Sequence, residues 1–329
     1  MTYRVAMIDY DYPSLDLVRD ELAKWDAELD AKNCGDMEAA AEFARTADGV
    51  ICQKLGPVDG AFMDRLENCR VIGRTGIGLD PIDVAAATER DIVVVHVPSY
   101  CEDEVADHAM ALLLAWARRV PVYDRAVKAG NWDFAVGRPI HRLSECTLGL
   151  VGFGKIPQKV LPRALGFGMK VIATDPFVNP EAVQGMGVEI VPLDELLARS
   201  DFISLHCPLT DDTRGMMNAD AFAKMKPTAF LINTARGPLV NEADLAVALE
   251  EGVIAGAALD VRGQEPPEYP NDLSKLDNAI LTPHAGYYSE ESLVLLQTLF
   301  ARYTGMVLKG ERPDGLANPD VFDKRMSAG

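Results

Sequence analysis

Apolar positions in this chain fall into short runs that end on polar residues, and the segments between them carry the spacing of amphipathic helices. Residues 5–8, 49–52, 71–73 and 92–97 read as strands, with a helix over 14–25 after the first. A long helical stretch covers 102–120, acidic at its start and basic at its end as the helix dipole favours, and a loop-rich segment follows over 130–144. Alternation then resumes with strands at 147–151, 169–173, 202–205, 229–232, 254–259 and 279–281, before a last helix over 289–308 and a polar tail without a chemical signal. Strands alternating with helices predict parallel sheets covered by helices.

The densest signal begins at Thr147. An apolar run ends in Gly152-Phe153-Gly154, passes into a helical segment at Lys155 and Ile156, and is followed by a second apolar run that closes on Asp175. Strand, glycines, helix, strand and acid in that order form a dinucleotide fingerprint. Gly152 permits the tight turn, and Gly154 lets backbone approach a pyrophosphate held at the helix N-terminus. Asp175 is placed to accept hydrogen bonds from a ribose and to repel a 2′-phosphate, and no arginine follows within Pro176 to Asn179, so NAD is expected over NADP. One departure stands at the third glycine position, which holds Pro157. Proline is tolerated in a first helical turn, but the close helix–strand packing allowed by glycine must rearrange. Gly76 and Gly78 precede Asp80, whose charge would repel phosphate, so they read as a turn exposing backbone N–H groups to a small anion.

Composition narrows the classes. The 329 residues suffice for two domains with sizeable cores, and a net charge of −18 disfavours nucleic acid or an anionic membrane as partner. Six scattered cysteines without a C-x-x-C pair read as reduced thiols of a cytoplasmic protein, and no metal cluster is expected. No apolar stretch approaches the ~20 residues needed to span a bilayer.

Several strand ends carry chemistry. Arg236, Asp260, His206 and His284 follow apolar runs, and Glu265 lies shortly after Asp260. In an open parallel sheet such ends converge on one crevice. With no nucleophile elbow, the group suits proton and hydride transfer beside a nicotinamide. Arg236 offers a planar fork for a carboxylate. His284 can protonate a carbonyl oxygen, and Glu265, where it meets His284, would favour the imidazolium and hold its orientation. Duller readings stand beside these: a capping arginine, a solvated Glu-Pro-Pro turn, a buried loop histidine. His206 reads as a wall of the cofactor pocket.

Asn233-Thr234-Ala235-Arg236-Gly237, then Ala258-Leu259-Asp260-Val261 with Glu265-Pro266, then Thr282-Pro283-His284-Ala285, all behind the fingerprint, resemble the D-isomer-specific 2-hydroxyacid dehydrogenases. Val97-Pro98, Glu104 to Asp107 and Tyr288-Ser289-Glu290 look most like that family's C-terminal-binding-protein branch, which includes transcriptional corepressors. The resemblance implies two Rossmann-like parallel-sheet domains, the NAD domain (102–285) inserted into a flavodoxin-like substrate domain (1–101 and 286–329), and a homodimer. It implies interconversion of a 2-keto acid and a D-2-hydroxy acid, with Arg236, Glu265 and His284 catalytic. Implied cofactor contacts are Gly152, Phe153, Gly154, Lys155, Ile156, Asp175, Cys207, Pro208, Thr213, Thr234, Ala235, Arg236, Asp260, His284 and Gly286. Arg74, Gly76 and Ile77 match substrate-facing positions, Lys54 adds positive charge near the substrate, and Tyr287 replaces a tryptophan of the corepressor branch. The competing expectation is a catalytically idle, NAD-sensing interaction protein.

Overall fold

The computed structural model describes residues 2–327. The chain divides into two compact units, Met1–Tyr100 with Ser289–Gly329 and Cys101–Tyr288, so the second unit is an insertion in the first.

In the first unit, β1 (Tyr3–Met7), β2 (Ala27–Ala31), β3 (Gly49–Cys52), β4 (Val71–Arg74) and β5 (Val93–Val95) form an all-parallel sheet in the order β2-β1-β3-β4-β5. Side-chain alternation sends Val5 and Met7 to one face, against helices Asp16–Ala23 and Glu290–Lys309. Ala6 and Ile8 go to the other, against Met37–Ala44 and Val84–Glu89. Both faces being buried explains the unbroken apolar runs. Helix Glu290–Lys309 starts at a capping box between Ser289 and Ser292 and stops where Gly310 takes a left-handed conformation. The polar tail is itself helical over Pro319–Ser327, where it buries Val321 and Phe322.

The second unit holds β6 (Thr147–Val151), β7 (Lys170–Thr174), β8 (Val188–Ile190), β9 (Phe202–Leu205), β10 (Phe230–Asn233), β11 (Gly256–Leu259) and β12 (Ala279–Leu281) in the order β12-β11-β10-β9-β6-β7-β8, again all parallel. The strand order reverses between β6 and β9, which is where an open α/β sheet places its ligand. Helix Glu102–Ala117 covers one face, with Trp116 stacked on Phe230 at 4.4 Å between ring centroids. The expected 102–120 helix stops at Ala117; Arg119 turns left-handed at φ 54°, and a second helix, Val120–Lys128, begins with Pro121 in its first turn. Strands β2 and β8 lie on sheet edges, and their mixed patterns (AELDA and VEI) gave no apolar run to detect. Among the described residues no helix is long and apolar enough to cross a membrane.

Candidate active site

The glycine turn after β6 is built for close approach. Gly152 has φ +92°, and a Cβ there would sit 2.9 Å from the Cys207 nitrogen, so a side chain is excluded on both counts. Gly154 begins helix Lys155–Gly166 with no capping side chain, and a Cβ on it would meet nothing within 4 Å. The turn is therefore open in front of a helix N-terminus, whose first-turn N–H groups have no intrahelical partners. Pro157 is buried at the third helical position, where its missing N–H removes no helical bond. Asp175, expected to meet a ribose, accepts from Phe153 N–H at 2.8 Å and Phe177 N–H at 2.9 Å, tying the glycine turn to the end of β7.

Beyond β9, His206 accepts or donates at 2.9 Å to Ser204 Oγ, and burial lowers its pKa to about 4, so the ring is neutral near pH 7. Burial raises the Cys207 thiol to about 11, so it is uncharged near pH 7. Thr213 Oγ closes the following loop by donating to the Pro208 carbonyl at 2.8 Å. After β10 the buried Asn233 donates to the Arg236 carbonyl (2.9 Å) and accepts from Ala235 N–H (3.0 Å), folding Thr234 to Arg236 into a fixed turn. Thr234 Oγ is buried without a hydrogen-bond partner, a polar atom that a bound polar group would satisfy. Open glycine turn, helix N-terminus and orphaned hydroxyl fit a dinucleotide lying across β6 to β10.

Asp260, 2 % exposed at the end of β11, organises the next loop. It accepts from Thr282 Oγ at 2.6 Å, Ala285 N–H at 2.9 Å and Gly286 N–H at 2.8 Å, with His108 Nε2 at 3.3 Å. Burial opposes its ionisation, but these donors outweigh burial and hold its pKa at about 2. The Gly286 N–H is thus held by Asp260. His284 sits at φ +54°, unusual for a side-chain-bearing residue, pinned by its own N–H to the Asp260 carbonyl at 2.7 Å. Its Nδ1 lies 2.6 Å from Glu265 Oε2, while Glu265 Oε1 accepts from Arg262 N–H at 2.8 Å. Burial raises the Glu265 carboxyl, yet the histidine and that N–H bring it below the usual carboxylate range. Tyr287 stands edge-on to the His284 ring at 5.9 Å.

Residues 110–286 match the model of the D-isomer specific 2-hydroxyacid dehydrogenase NAD binding domain. The chain belongs to the D-isomer specific 2-hydroxyacid dehydrogenase family. It is 39 % identical to a glyoxylate reductase of Korarchaeum cryptofilum over 288 residues, 86 % of each chain. It is 40 % identical to a D-3-phosphoglycerate dehydrogenase of Methanocaldococcus jannaschii over 291 residues, 88 % of this chain but 55 % of that one. The chain thus spans about half the length of the phosphoglycerate dehydrogenase. Among solved structures it resembles a glyoxylate reductase from Paecilomyes thermophila, with TM-score 0.86 and 28 % identity over 97 % of this chain and 99 % of that one.

The remaining predicted residues of this family member lie in the other unit, at the carboxyl edge of its sheet. Lys54 is ion-paired with Asp11, and Asp9 accepts from the N–H groups of Gln53, Lys54 and Leu55, which fixes that loop. Arg74 donates to the Thr75 carbonyl at 2.9 Å, and its Nε is buried without a partner. Gly76, expected to present its N–H to an anion, donates it to the Arg74 carbonyl at 3.1 Å across Thr75. The Ile77 carbonyl lies 2.8 Å from His96 Nδ1. Sequence reasoning gave no role to His108, Glu242 and Arg262, and quoted Asn233 and Thr282 only as parts of motifs. Nothing local ties His108 to an aspartate in a distant loop.

Proposed function

We propose that this chain interconverts a small 2-keto acid and the corresponding D-2-hydroxy acid with NAD(H). The observation that carries the reading is the His284–Glu265 pair at 2.6 Å, on the carboxyl edge of the NAD-binding sheet beside the Arg236 turn. NADH, once bound, supplies the hydride; the residues of the chain handle orientation, charge and the proton. Arg236 anchors the substrate carboxylate through its guanidinium fork and polarises the adjacent carbonyl. His284 gives a proton from Nε2 to the carbonyl oxygen in reduction and takes it back in oxidation, while Glu265 keeps Nδ1 protonated and the ring aligned. For Lys54, Arg74, Gly76, Ile77 and Tyr287 the substrate-facing role rests on the family resemblance, and for Arg74 also on its unpartnered Nε. A second polar or anionic group on the substrate suits Lys54 and Arg74. Equal turnover, by wild type and Lys54→Ala, of a keto acid that carries a second anionic group would remove Lys54 from that role.

The active form we propose is a homodimer. Helix Val120–Lys128 buries none of its residues, and Trp132 and Phe134 beyond it are 88 % and 70 % exposed. An exposed apolar surface of this kind is what a second copy of the chain would cover.

The test is NADH oxidation against glyoxylate, hydroxypyruvate, pyruvate, oxaloacetate and branched or aromatic keto acids, beside a direct NADH titration, for wild type and His284→Ala. Turnover lost by at least ~10²-fold in the variant, with NADH binding kept, is the expected outcome. Unchanged turnover would take His284 out of the mechanism. Binding of NADH without any turnover by wild type would favour the sensing role of the C-terminal-binding-protein branch.

A further inference from the structure

Outside the residues assigned above lies a charged pair that none of the expected chemistry uses. Arg262, its side chain 8 % exposed, makes a two-pronged contact with Glu242: Nη2 to Oε2 at 2.7 Å and Nε to Oε1 at 3.1 Å. Glu242 Oε1 also accepts from Gly263 N–H at 2.6 Å. Glu242 is the first residue of helix Glu242–Glu250, where the dipole favours an anion, and this helix follows the short turn that begins directly after Arg236.

The pair is placed between the two loops that carry the proposed chemistry. On one side, Arg262 N–H donates to Glu265 Oε1, the oxygen not used by His284. On the other, a Cβ at Gly237 would lie 1.9 Å from the Arg262 carbonyl carbon and oxygen, so the backbone next to Arg236 rests on the Arg262 peptide. Displacing Arg262 therefore disturbs both loops at once. The fork also fixes Arg262 and Gly263 at three points, which a single ammonium cannot reproduce.

We infer that the Glu242–Arg262 pair is a strut that positions Glu265, and through it the His284 ring, relative to Arg236. The inference rests on the reading of His284 and Glu265 as the acid–base pair. Arg262 and Glu242 are positioning residues and touch no reacting atom. Without the strut, the Glu265 carboxylate loses its fixed N–H donor and swings off Nδ1, leaving the imidazole free to exchange tautomers.

The experiment compares wild type, Glu242→Gln, Arg262→Lys and Glu265→Gln. Two readouts are taken: steady-state reduction of glyoxylate by NADH, and imidazole ¹⁵N spectra of histidine-labelled protein, with His284 assigned from His284→Gln. Expected for both strut variants is a kcat lower by about tenfold with NADH affinity within about twofold, and a His284 tautomer pattern shifted in the direction shown by Glu265→Gln. Arg262→Lys keeps the buried charge, so it reports even where Glu242→Gln does not fold. A His284 pattern unchanged in the strut variants but altered in Glu265→Gln would overturn the strut and leave the pair standing. A pattern unchanged in Glu265→Gln as well would sink the pair reading and the strut with it.

Discussion

Replacing Asp260 by asparagine tests how the His284 loop is held. The carboxylate accepts from one hydroxyl and two backbone N–H groups, and an amide of the same shape must turn its NH2 toward one of those donors. The distance between the ordinary 3.8 and about 2 in Asp260 corresponds to about 2 kcal/mol of stability at neutral pH, at ~1.36 kcal/mol per pH unit. For the unit Cys101–Tyr288 that loss lowers the melting temperature by roughly 5 °C. The sign follows from the depressed value: the folded state prefers the ionised form, so the contribution is complete above pH ~4 and is lost as pH falls toward about 2. The gap between wild type and Asp260→Asn should therefore stay constant from pH 8 to ~5 and shrink to about half near pH 3. Calorimetry or urea unfolding across that range is the assay. Because the same carboxylate holds Ala285 and Gly286 beside the strained His284, kcat should fall as well. Equal melting temperatures at pH 7, or a gap that persists undiminished at the acid end, would refute the account.

Gly152→Ala should abolish NADH binding in a titration, since its Cβ would meet the Cys207 backbone at 2.9 Å in a conformation that L residues avoid; retained affinity would mean the turn can open without loss. Asp175→Ala should narrow the preference for NADH over NADPH and weaken both, because the carboxylate also ties down Phe153 and Phe177; an unchanged ratio of kcat/KM values would assign the preference to another residue. Trp132→Ser with Phe134→Ser should give a monomer in analytical ultracentrifugation, and an unchanged dimer would place the contact elsewhere.

The sequence by itself determined the parallel α/β class, because strands buried on both faces must be continuous apolar runs and helices covering them must be amphipathic. It also located the glycine turn, since only glycine tolerates the φ of Gly152, and it exposed Arg236, Asp260 and His284 as polar residues terminating apolar runs. Edge strands β2 and β8 escaped notice because one-sided burial leaves a mixed pattern too short to separate from loop. The helix over Val120–Lys128 escaped because it follows Ala117 after a break of only two residues, too short to show as a loop in the pattern.

Tertiary structure alone decided the pairings. That Asp260 collects donors from Thr282, Ala285, Gly286 and His108, that Gly286 and Gly76 turn their N–H groups inward, and that Arg262 leans on Glu242 are facts about which strand ends lie side by side. Local spacing along a chain encodes periodicity and backbone freedom. Hydrogen-bond partners far apart in sequence are set by strand order and by the packing of helices against the sheet, and those arise only when the whole core is assembled.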